Sequence, residues 1–183
     1  PALVWRWYRW RRDLVAKAQP NAGHFALAKL TELVPRLTLV TQNVDNLHQR
    51  AGSRDVIQFH GNLFEDRCAA DGSLHEGDHT RDVPPCPDCG GPLRPGVVWF
   101  GEAIPGQALD SAFAAAADCD LFFSVGTSSL VYPAAGLADI ARQNGAVTVE
   151  VNPAPTPEAG RFDFAVAANS GVILPELVDS LSV

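Results

Sequence analysis

Short apolar strands alternate with helical segments along most of this 183-residue sequence, and this alternation constrains the fold more than any other feature. Strands that are separated by helices pair in parallel and carry the helices on both faces of the sheet. We therefore predict an α/β fold with a parallel sheet. Its predicted elements are the strands LTLVT, VIQFHG, LFFSVG and AVTVEV, with helices near 107–118, 132–143 and 172–181.

Residues 64–95 interrupt this pattern with cysteines, prolines and glycines, and they show no hydrophobic periodicity. Cys86 and Cys89 have the Cys-x-x-Cys spacing of a structural zinc knuckle, and Cys68 supplies a third thiol. We predict a small inserted zinc-binding module in this segment.

The fourth zinc ligand is not a cysteine at the expected spacing. Asp71 stands three residues after Cys68 and offers a carboxylate oxygen, and we predict that it completes the site. His75 and His79 are alternative ligands, and a knuckle without metal is the remaining interpretation.

Polar residues follow the predicted strands at one edge of the sheet. The residues concerned are Gln42, Asn43 and Asp45 after LTLVT, Gly126, Thr127, Ser128 and Ser129 after LFFSV, and Asn152 at the end of VEVN. Ligands of open α/β sheets bind at the carboxyl ends of the strands, where small hydroxyl residues and free N–H groups suit ribose and phosphate. One such loop is an ordinary turn, but a set of them predicts a nucleotide site.

His60 ends the predicted strand VIQF and precedes a glycine. A histidine at a strand end is more often structural than catalytic. Beside a polar, nucleotide-sized cleft, however, an oriented imidazole is suited to act as a general base.

The stretch VWRWYRWRRDLV near the start combines aromatic residues with arginines on one predicted helix, which runs over residues 3–18. Leu3, Trp7, Trp10 and Leu14 recur at helical spacing, and we predict that this face packs on the core. Tyr8 and Arg11 share a second stripe and lie one turn apart. Arg6, Arg9 and Arg12 fall outside both stripes and are predicted to be solvated. A second helix is expected to begin at the N-cap Asn21 and to end near Val34.

The composition narrows the class of protein. A net charge of -7 disfavours direct binding to nucleic acid or anionic lipid, and we expect neither partner. The four cysteines suit a reducing compartment and a metal site better than a disulfide framework, so we expect a cytoplasmic protein. The sequence contains no methionine, and we interpret it as a piece of a longer protein, expected to be monomeric.

The motifs TQNVDNLHQRAG, FHGN, CPDCGGPLRPGVVWFGE, GTSS, YPAA and VEVNP, in this order over residues 20–181, resemble the sirtuin family of NAD-dependent protein lysine deacylases. The resemblance implies a Rossmann-like NAD-binding domain formed by residues 1–63 and 96–183, with the zinc module at 64–95. The first helix is similar to that of the desuccinylase-type branch, class III. In that branch a Tyr-x-x-Arg pair, here Tyr8 and Arg11, binds the acidic end of a succinyl or malonyl lysine.

The resemblance also implies a role for each site residue. His60 acts as the base on the ribose hydroxyls, and Asn43 and Asp45 line the nicotinamide pocket as further catalytic residues. NAD contacts Gln42, Asn43, Val44, Asp45, Gly126, Thr127, Ser128, Asn152, Pro153 and Ser170. Val98, Phe100 and Gly101 line the path of the acyl-lysine peptide, which pairs as a strand with VVWFGE. The products are free lysine, nicotinamide and 2′-O-acyl-ADP-ribose, and the zinc is structural.

The sequence differs from the sirtuin pattern because it has no N-terminal strand followed by a glycine-rich phosphate loop. We expect this chain by itself to bind NAD poorly. Two other functions stay open: a deacetylase without preference for acidic acyl groups, and an inactive fragment that binds acyl-lysine or NAD metabolites.

Overall fold

The computed structural model describes residues 1–154 and 156–181. Its helices are α1 (Ala2–Lys17), α2 (Ala22–Leu33), α3 (Leu47–Arg50), α4 (Gly106–Ala117), α5 (Gly136–Gln143) and α6 (Ser170–Leu181). Its strands are β1 (Val40–Thr41), β2 (Ile57–Gln58), β3 (Gly61–Cys68), β4 (Leu74–His75), β5 (Leu93–Val97), β6 (Leu121–Val125), β7 (Val147–Asn152) and β8 (Phe164–Ala167). Among the helices of the described chain, none is long and apolar enough to cross a membrane.

The predicted α/β class is confirmed. β6, β7 and β8 form a parallel sheet in that order, and β1 pairs with β2 in a second parallel sheet. Helices cover both faces of the sheet, and successive side chains of a strand point to opposite faces. On β6, Phe122 packs with the cluster of α4 and α5, whereas Val125 packs with the cluster of α2 and α6.

The region with the cysteines forms an antiparallel sheet in the order β4-β3-β5. This sheet extends from Gly61 to Val97 and therefore begins directly after His60. Gly61 has a φ of +76°, and a Cβ on it would lie 2.1 Å from the carbonyl oxygen of Gly96. Only glycine allows β3 and β5 to approach each other so closely at this point. The close approach lies directly after His60.

The second helix begins as predicted. The Oδ1 atom of Asn21 accepts hydrogen bonds from the backbone N–H groups of Gly23 and His24, at 2.9 and 3.2 Å. The two donors belong to the first turn of the helix, where the helix offers no carbonyl oxygen four residues earlier. Asn21 therefore fixes the start of α2, which packs along α6.

The predicted core face of α1 is wrong. Leu3, Trp7, Trp10 and Leu14 are between 46% and 71% exposed, and the buried residues are Trp5 and Tyr8. Trp5 belongs to neither predicted stripe and Tyr8 to the second one, so apolar spacing alone selected the wrong face.

Hydrogen bonds to the antiparallel sheet determine which face of α1 is buried. The indole N–H of Trp5 donates to the carbonyl oxygen of Leu93 at 3.0 Å. Arg12, predicted to be solvated, instead lies half-buried and donates to the carbonyl oxygens of Leu63 and Glu65 and to the carboxylate of Asp66. Buried groups of this kind require partners, and the sheet supplies them.

Candidate active site

The strand ends that were predicted to converge do meet. The amide nitrogen of Gln42, after β1, donates to the hydroxyl oxygen of Thr127, after β6, at 3.3 Å. The amide nitrogen of Asn152, at the end of β7, donates to the carbonyl oxygen of Thr127 at 2.8 Å. Gly126 makes the turn after β6 with a φ of +64°. Thr127 therefore lies at the centre of a polar edge built from three strand ends.

His60 lies beside this edge, half-buried, between β2 and β3. Its Nδ1 atom lies 3.1 Å from the carbonyl oxygen of Gln42. A carbonyl oxygen only accepts, so Nδ1 carries the proton and donates. The Nε2 atom is then left with a free lone pair, which is the tautomer that a general base needs.

The loop between β1 and α3 contains the other two predicted catalytic residues. Asn43 is exposed, and its backbone N–H donates to the hydroxyl oxygen of Thr41 at 3.1 Å. One carboxylate oxygen of Asp45 accepts from the backbone N–H of Leu47 at 3.0 Å, which fixes the start of α3. The loop is thus held by its own short bonds, and the Asn43 side chain stays accessible.

The remaining residues predicted to contact NAD do not all face the polar edge. Ser128 and Pro153 are exposed beside the polar edge. The Val44 side chain packs instead with the apolar cluster around Tyr8. Ser170 begins α6, where its carbonyl oxygen lies close to Gly23 of α2. Their roles toward NAD stay predictions.

Tyr8 connects α1 to the active site. Its ring is 9% exposed and packs with Leu63 and Val97, with Val44 and Val15 at the edge of the cluster. The backbone N–H of Leu63 donates to the carbonyl oxygen of Val44 at 2.8 Å. The tyrosine therefore packs against the strand that follows His60 and against the loop that holds Asn43 and Asp45.

Arg11, one turn after Tyr8, is half-buried and its guanidinium lies over the ring of Trp7, 4.9 Å from the ring centroid. No carboxylate of residues 1–154 or 156–181 forms an ion pair with it. A guanidinium without an ion pair can bind a carboxylate through two parallel N–H···O bonds.

The segment that follows β5 lies next to His60. The backbone N–H of Val98 donates to the carbonyl oxygen of His60 at 2.9 Å. Phe100 is 99% exposed, and Gly101 has a φ of +86° in the turn that follows. The exposed Phe100 ring thus stands two residues after the one whose backbone is bonded to His60.

The three cysteines predicted as metal ligands come together. The sulfur atoms of Cys68, Cys86 and Cys89 all lie within 4.8 Å of one another. The backbone N–H of Cys89 is the largest cause that lowers the pKa of the Cys86 thiol, which favours the thiolate that zinc binds. This donor set fits zinc and leaves one tetrahedral position for another ligand.

The candidate fourth ligands have other hydrogen bonds. Asp71 is exposed and accepts from the N–H and the hydroxyl of Ser73, at 2.9 and 2.6 Å. His75 contacts the Ser73 hydroxyl at 2.8 Å, and His79 lies 3.0 Å from the carboxylate of Asp66. To bind the metal, Asp71 would have to give up its hydrogen bonds to Ser73. Its role as a ligand stays a prediction.

Comparison with known proteins decides the family. The sequence model described as the Sir2 family matches residues 1–133. The chain belongs to the Sir2 family. The expected sirtuin membership is therefore confirmed.

Several curated Sir2 relatives match nearly the whole chain. The NAD-dependent protein deacylase of Methylococcus capsulatus is 48% identical over 191 residues, which cover 99% of this chain and 75% of the relative. The NAD-dependent protein deacylase of Aquifex aeolicus is 52% identical over 184 residues, covering 99% and 77%. The chain thus spans about three quarters of the length of these relatives.

Solved Sir2 structures have the same fold. A Sir2 homologue in complex with NAD superposes with a TM-score of 0.92 at 42% identity, covering 100% of this chain and 72% of that one. Sir2Tm bound to a propionylated peptide superposes with a TM-score of 0.83 at 34% identity, covering 94% and 77%.

Two side-chain contacts in this Sir2 chain were not predicted from the sequence. Trp99 donates its indole N–H to the Tyr8 hydroxyl oxygen at 2.7 Å, although the two residues are 91 positions apart. Asp66 is 2% exposed and pairs with Arg12. Trp99 stands inside the quoted motif VVWFGE, but nothing local in the sequence pairs it with the first helix. Both contacts depend on the fold.

Proposed function

We propose that this protein is an NAD-dependent protein-lysine deacylase that favours acyl groups ending in a carboxylate, such as succinyl and malonyl. Membership of the Sir2 family and relatives named NAD-dependent protein deacylases support the deacylase activity. The preference for acidic acyl groups is the finer part of the proposal and rests on Tyr8 and Arg11.

NAD would lie across the polar strand ends. The residues that would hold it are Gln42, Asn43, Val44, Asp45, Gly126, Thr127, Ser128, Asn152, Pro153 and Ser170. Bound NAD supplies the reactive ribose carbon and the nicotinamide leaving group. The Gln42–Thr127–Asn152 hydrogen bonds support this placement, because they keep three strand ends in one fixed edge.

His60 would remove a proton from a ribose hydroxyl. Its Nδ1–H is directed to the carbonyl oxygen of Gln42, so Nε2 accepts the proton, and the same carbonyl stabilises the imidazolium that forms. Asn43, exposed on a loop fixed by Thr41, would orient a water or an amide in the nicotinamide pocket, with Asp45 beside it. The products would be free lysine, nicotinamide and 2′-O-acyl-ADP-ribose.

The acyl-lysine peptide would pass beside the segment that follows β5. Val98, Phe100 and Gly101 would line its path, and the bond from Val98 to the His60 backbone keeps this segment next to the base. An acetylated peptide would use the same path, so this part of the site does not distinguish acyl groups.

The observation that carries the acidic-acyl preference is a guanidinium that has no ion pair in the described residues and lies one helical turn from a buried phenol. Within the described residues Arg11 has no ion pair, and it lies one helical turn from Tyr8. A succinyl carboxylate bound by Arg11 and by the Tyr8 hydroxyl would gain charge-assisted hydrogen bonds that an acetyl group lacks. Removal of succinyl groups follows as the favoured reaction.

Mass spectrometry of the products tests the proposal. The full-length protein is given NAD and an equimolar mixture of succinyl-lysine and acetyl-lysine peptides of one sequence. We expect O-succinyl-ADP-ribose to exceed O-acetyl-ADP-ribose. An excess of the acetyl product would leave a plain deacetylase, and neither product would leave a binding module without activity.

A further inference from the structure

We propose that Trp99 is a positioning residue for acyl selectivity, because its indole N–H directs the Tyr8 hydroxyl proton toward the substrate carboxylate. This inference rests on the acidic-acyl preference proposed above and adds the residue that sets the direction of the tyrosine bond.

The hydrogen bond between the two residues has one direction. The Nε1 atom of Trp99 lies 2.7 Å from the hydroxyl oxygen of Tyr8. An indole N–H only donates, so the tyrosine oxygen accepts here and its own proton must point elsewhere. With one lone pair occupied, the phenol presents its O–H as a donor, which is what a carboxylate requires.

Trp99 is held by polar contacts more than by burial, since it is 37% exposed. The guanidinium carbon of Arg94 lies 3.6 Å from the centroid of its ring. Arg94 is paired with Glu102, and the second carboxylate oxygen of Glu102 accepts from the backbone N–H of Trp99 at 2.9 Å. Glu102 also donates its own N–H to the Trp99 carbonyl oxygen at 3.0 Å. Trp99 is therefore held at its backbone by Glu102 and at its ring face by Arg94.

The packing of the Tyr8 ring does not require this hydrogen bond. The ring is already enclosed by Leu63 and Val97 and is 9% exposed. What the indole adds is the orientation of one O–H group. Without Trp99 that proton is free to rotate, and binding a carboxylate has to order it.

An acetyl group carries no carboxylate and makes no use of this orientation. The effect of Trp99 is thus expected in the KM for succinyl-lysine peptides, with the ratio of succinyl to acetyl kcat/KM as the direct readout. A residue that merely stabilised the fold would change both substrates alike.

The experiment is a double-mutant cycle on the full-length protein with Trp99→Phe, Tyr8→Phe and the double variant. Phenylalanine removes the N–H but keeps an aromatic face for Arg94. We expect Trp99→Phe to lower the succinyl-to-acetyl ratio about fivefold through a higher succinyl KM, and to change it less than about twofold when Tyr8 is already phenylalanine. Trp10→Phe, a change at a 57% exposed tryptophan of α1, is the matched control and should leave the ratio unchanged.

Each other outcome contradicts a defined part of the account. If Tyr8→Phe lowers the ratio and Trp99→Phe does not, the positioning role is wrong and the acidic-acyl preference stands. If Trp99→Phe has the same effect with and without the Tyr8 hydroxyl, Trp99 acts by another route and the inference is overturned. If Tyr8→Phe leaves the ratio unchanged, both the acidic-acyl proposal and the positioning role of Trp99 are wrong.

A second measurement does not depend on whether the Trp99→Phe variant folds. This chain contributes four tryptophan indole N–H signals, from Trp5, Trp7, Trp10 and Trp99, to the ¹H–¹⁵N spectrum of the protein. Substitution of the exposed Trp7 and Trp10 assigns two of them. We expect Tyr8→Phe to shift one of the remaining two signals strongly, and an unchanged pair would show that the hydrogen bond is absent in solution.

Discussion

Arg12 and Asp66 form a buried ion pair that joins helix α1 to strand β3. The guanidinium Nη2 lies 2.7 Å from the Oδ1 atom of Asp66, and the two side chains are 12% and 2% exposed. Two backbone carbonyl oxygens of β3 accept further bonds from the same guanidinium. The orientation of α1, and with it the position of Tyr8, depends on this pair.

Arg12→Met is expected to destabilise the fold by about 3 kcal/mol, because it leaves a buried carboxylate without its cation. The other partners of Asp66 are the Gly77 N–H and the His79 ring, which retain part of the interaction. Urea unfolding measures the change. Arg6→Met is the control on the exposed side of the same helix, and a loss no larger than in that control would show that the pair contributes little.

His60→Ala is expected to lower kcat by about a hundredfold or more, since a positioned general base contributes that much. NAD binding, followed by calorimetry, should change little, because the polar edge is built from Gln42, Thr127 and Asn152. If the variant kept more than a tenth of the activity, His60 would not be the general base.

Stability is expected to fall as the pH drops below neutrality. Burial lowers the pKa of both His24 and His48 from 6.5, and their rings lie 4.7 Å apart. For His48 the charge of His24 lowers the pKa further, while Asp45 raises it in part. Below pH 6.5 the unfolded chain therefore binds protons that the folded chain resists, and the free energy of unfolding decreases until the folded pKa values are passed.

Thermal unfolding between pH 7.5 and 5.5 measures this dependence. The variant His48→Leu should show a weaker fall in Tm over this range, because it removes one titrating ring whose Nδ1 atom is buried without a partner in the described chain. An equal pH dependence in both proteins would place its origin elsewhere.

Removal of zinc is expected to unfold the β4-β3-β5 sheet, because Cys68 and Cys86 are 1% and 2% exposed and pack with Trp5 and Leu93. Metal analysis with thermal unfolding before and after chelation measures this. A chelated protein with unchanged Tm would contradict a structural metal.

Asp71→Ala separates the possible fourth ligands. If Asp71 binds the metal, its loss should weaken zinc affinity about tenfold or more, whereas Asp88→Ala, at a side chain that is 76% exposed, should not. Equal affinities in the two variants would exclude Asp71 as a ligand.

The sequence was sufficient for the parts of the molecule that local patterns control. The polar strand ends at Gln42, Thr127 and Asn152 could be predicted to converge, because parallel strands bring their carboxyl ends to one edge. The cap at Asn21 and the cysteine spacing are local signals of the same kind.

The face of α1 could not be predicted in this way. Trp5 and Tyr8 are buried, and Trp7 and Trp10 are exposed, although all four are aromatic. The choice depends on where Arg12 and the Trp5 indole find hydrogen-bond partners, and those partners lie on strands more than 50 residues away. The Trp99–Tyr8 bond was missed for the same reason.

The central claim is that Tyr8 and Arg11 make this Sir2 chain prefer acidic acyl groups. The most direct measurement compares kcat/KM for succinyl-lysine and acetyl-lysine peptides in the full-length protein, in Tyr8→Phe with Arg11→Met, and in the control Arg6→Met. We predict a succinyl preference of about tenfold or more in the natural protein and in the control, and its loss in the double variant. Equal rates for the two peptides in the natural protein, or a preference that survives the double substitution, would contradict the claim.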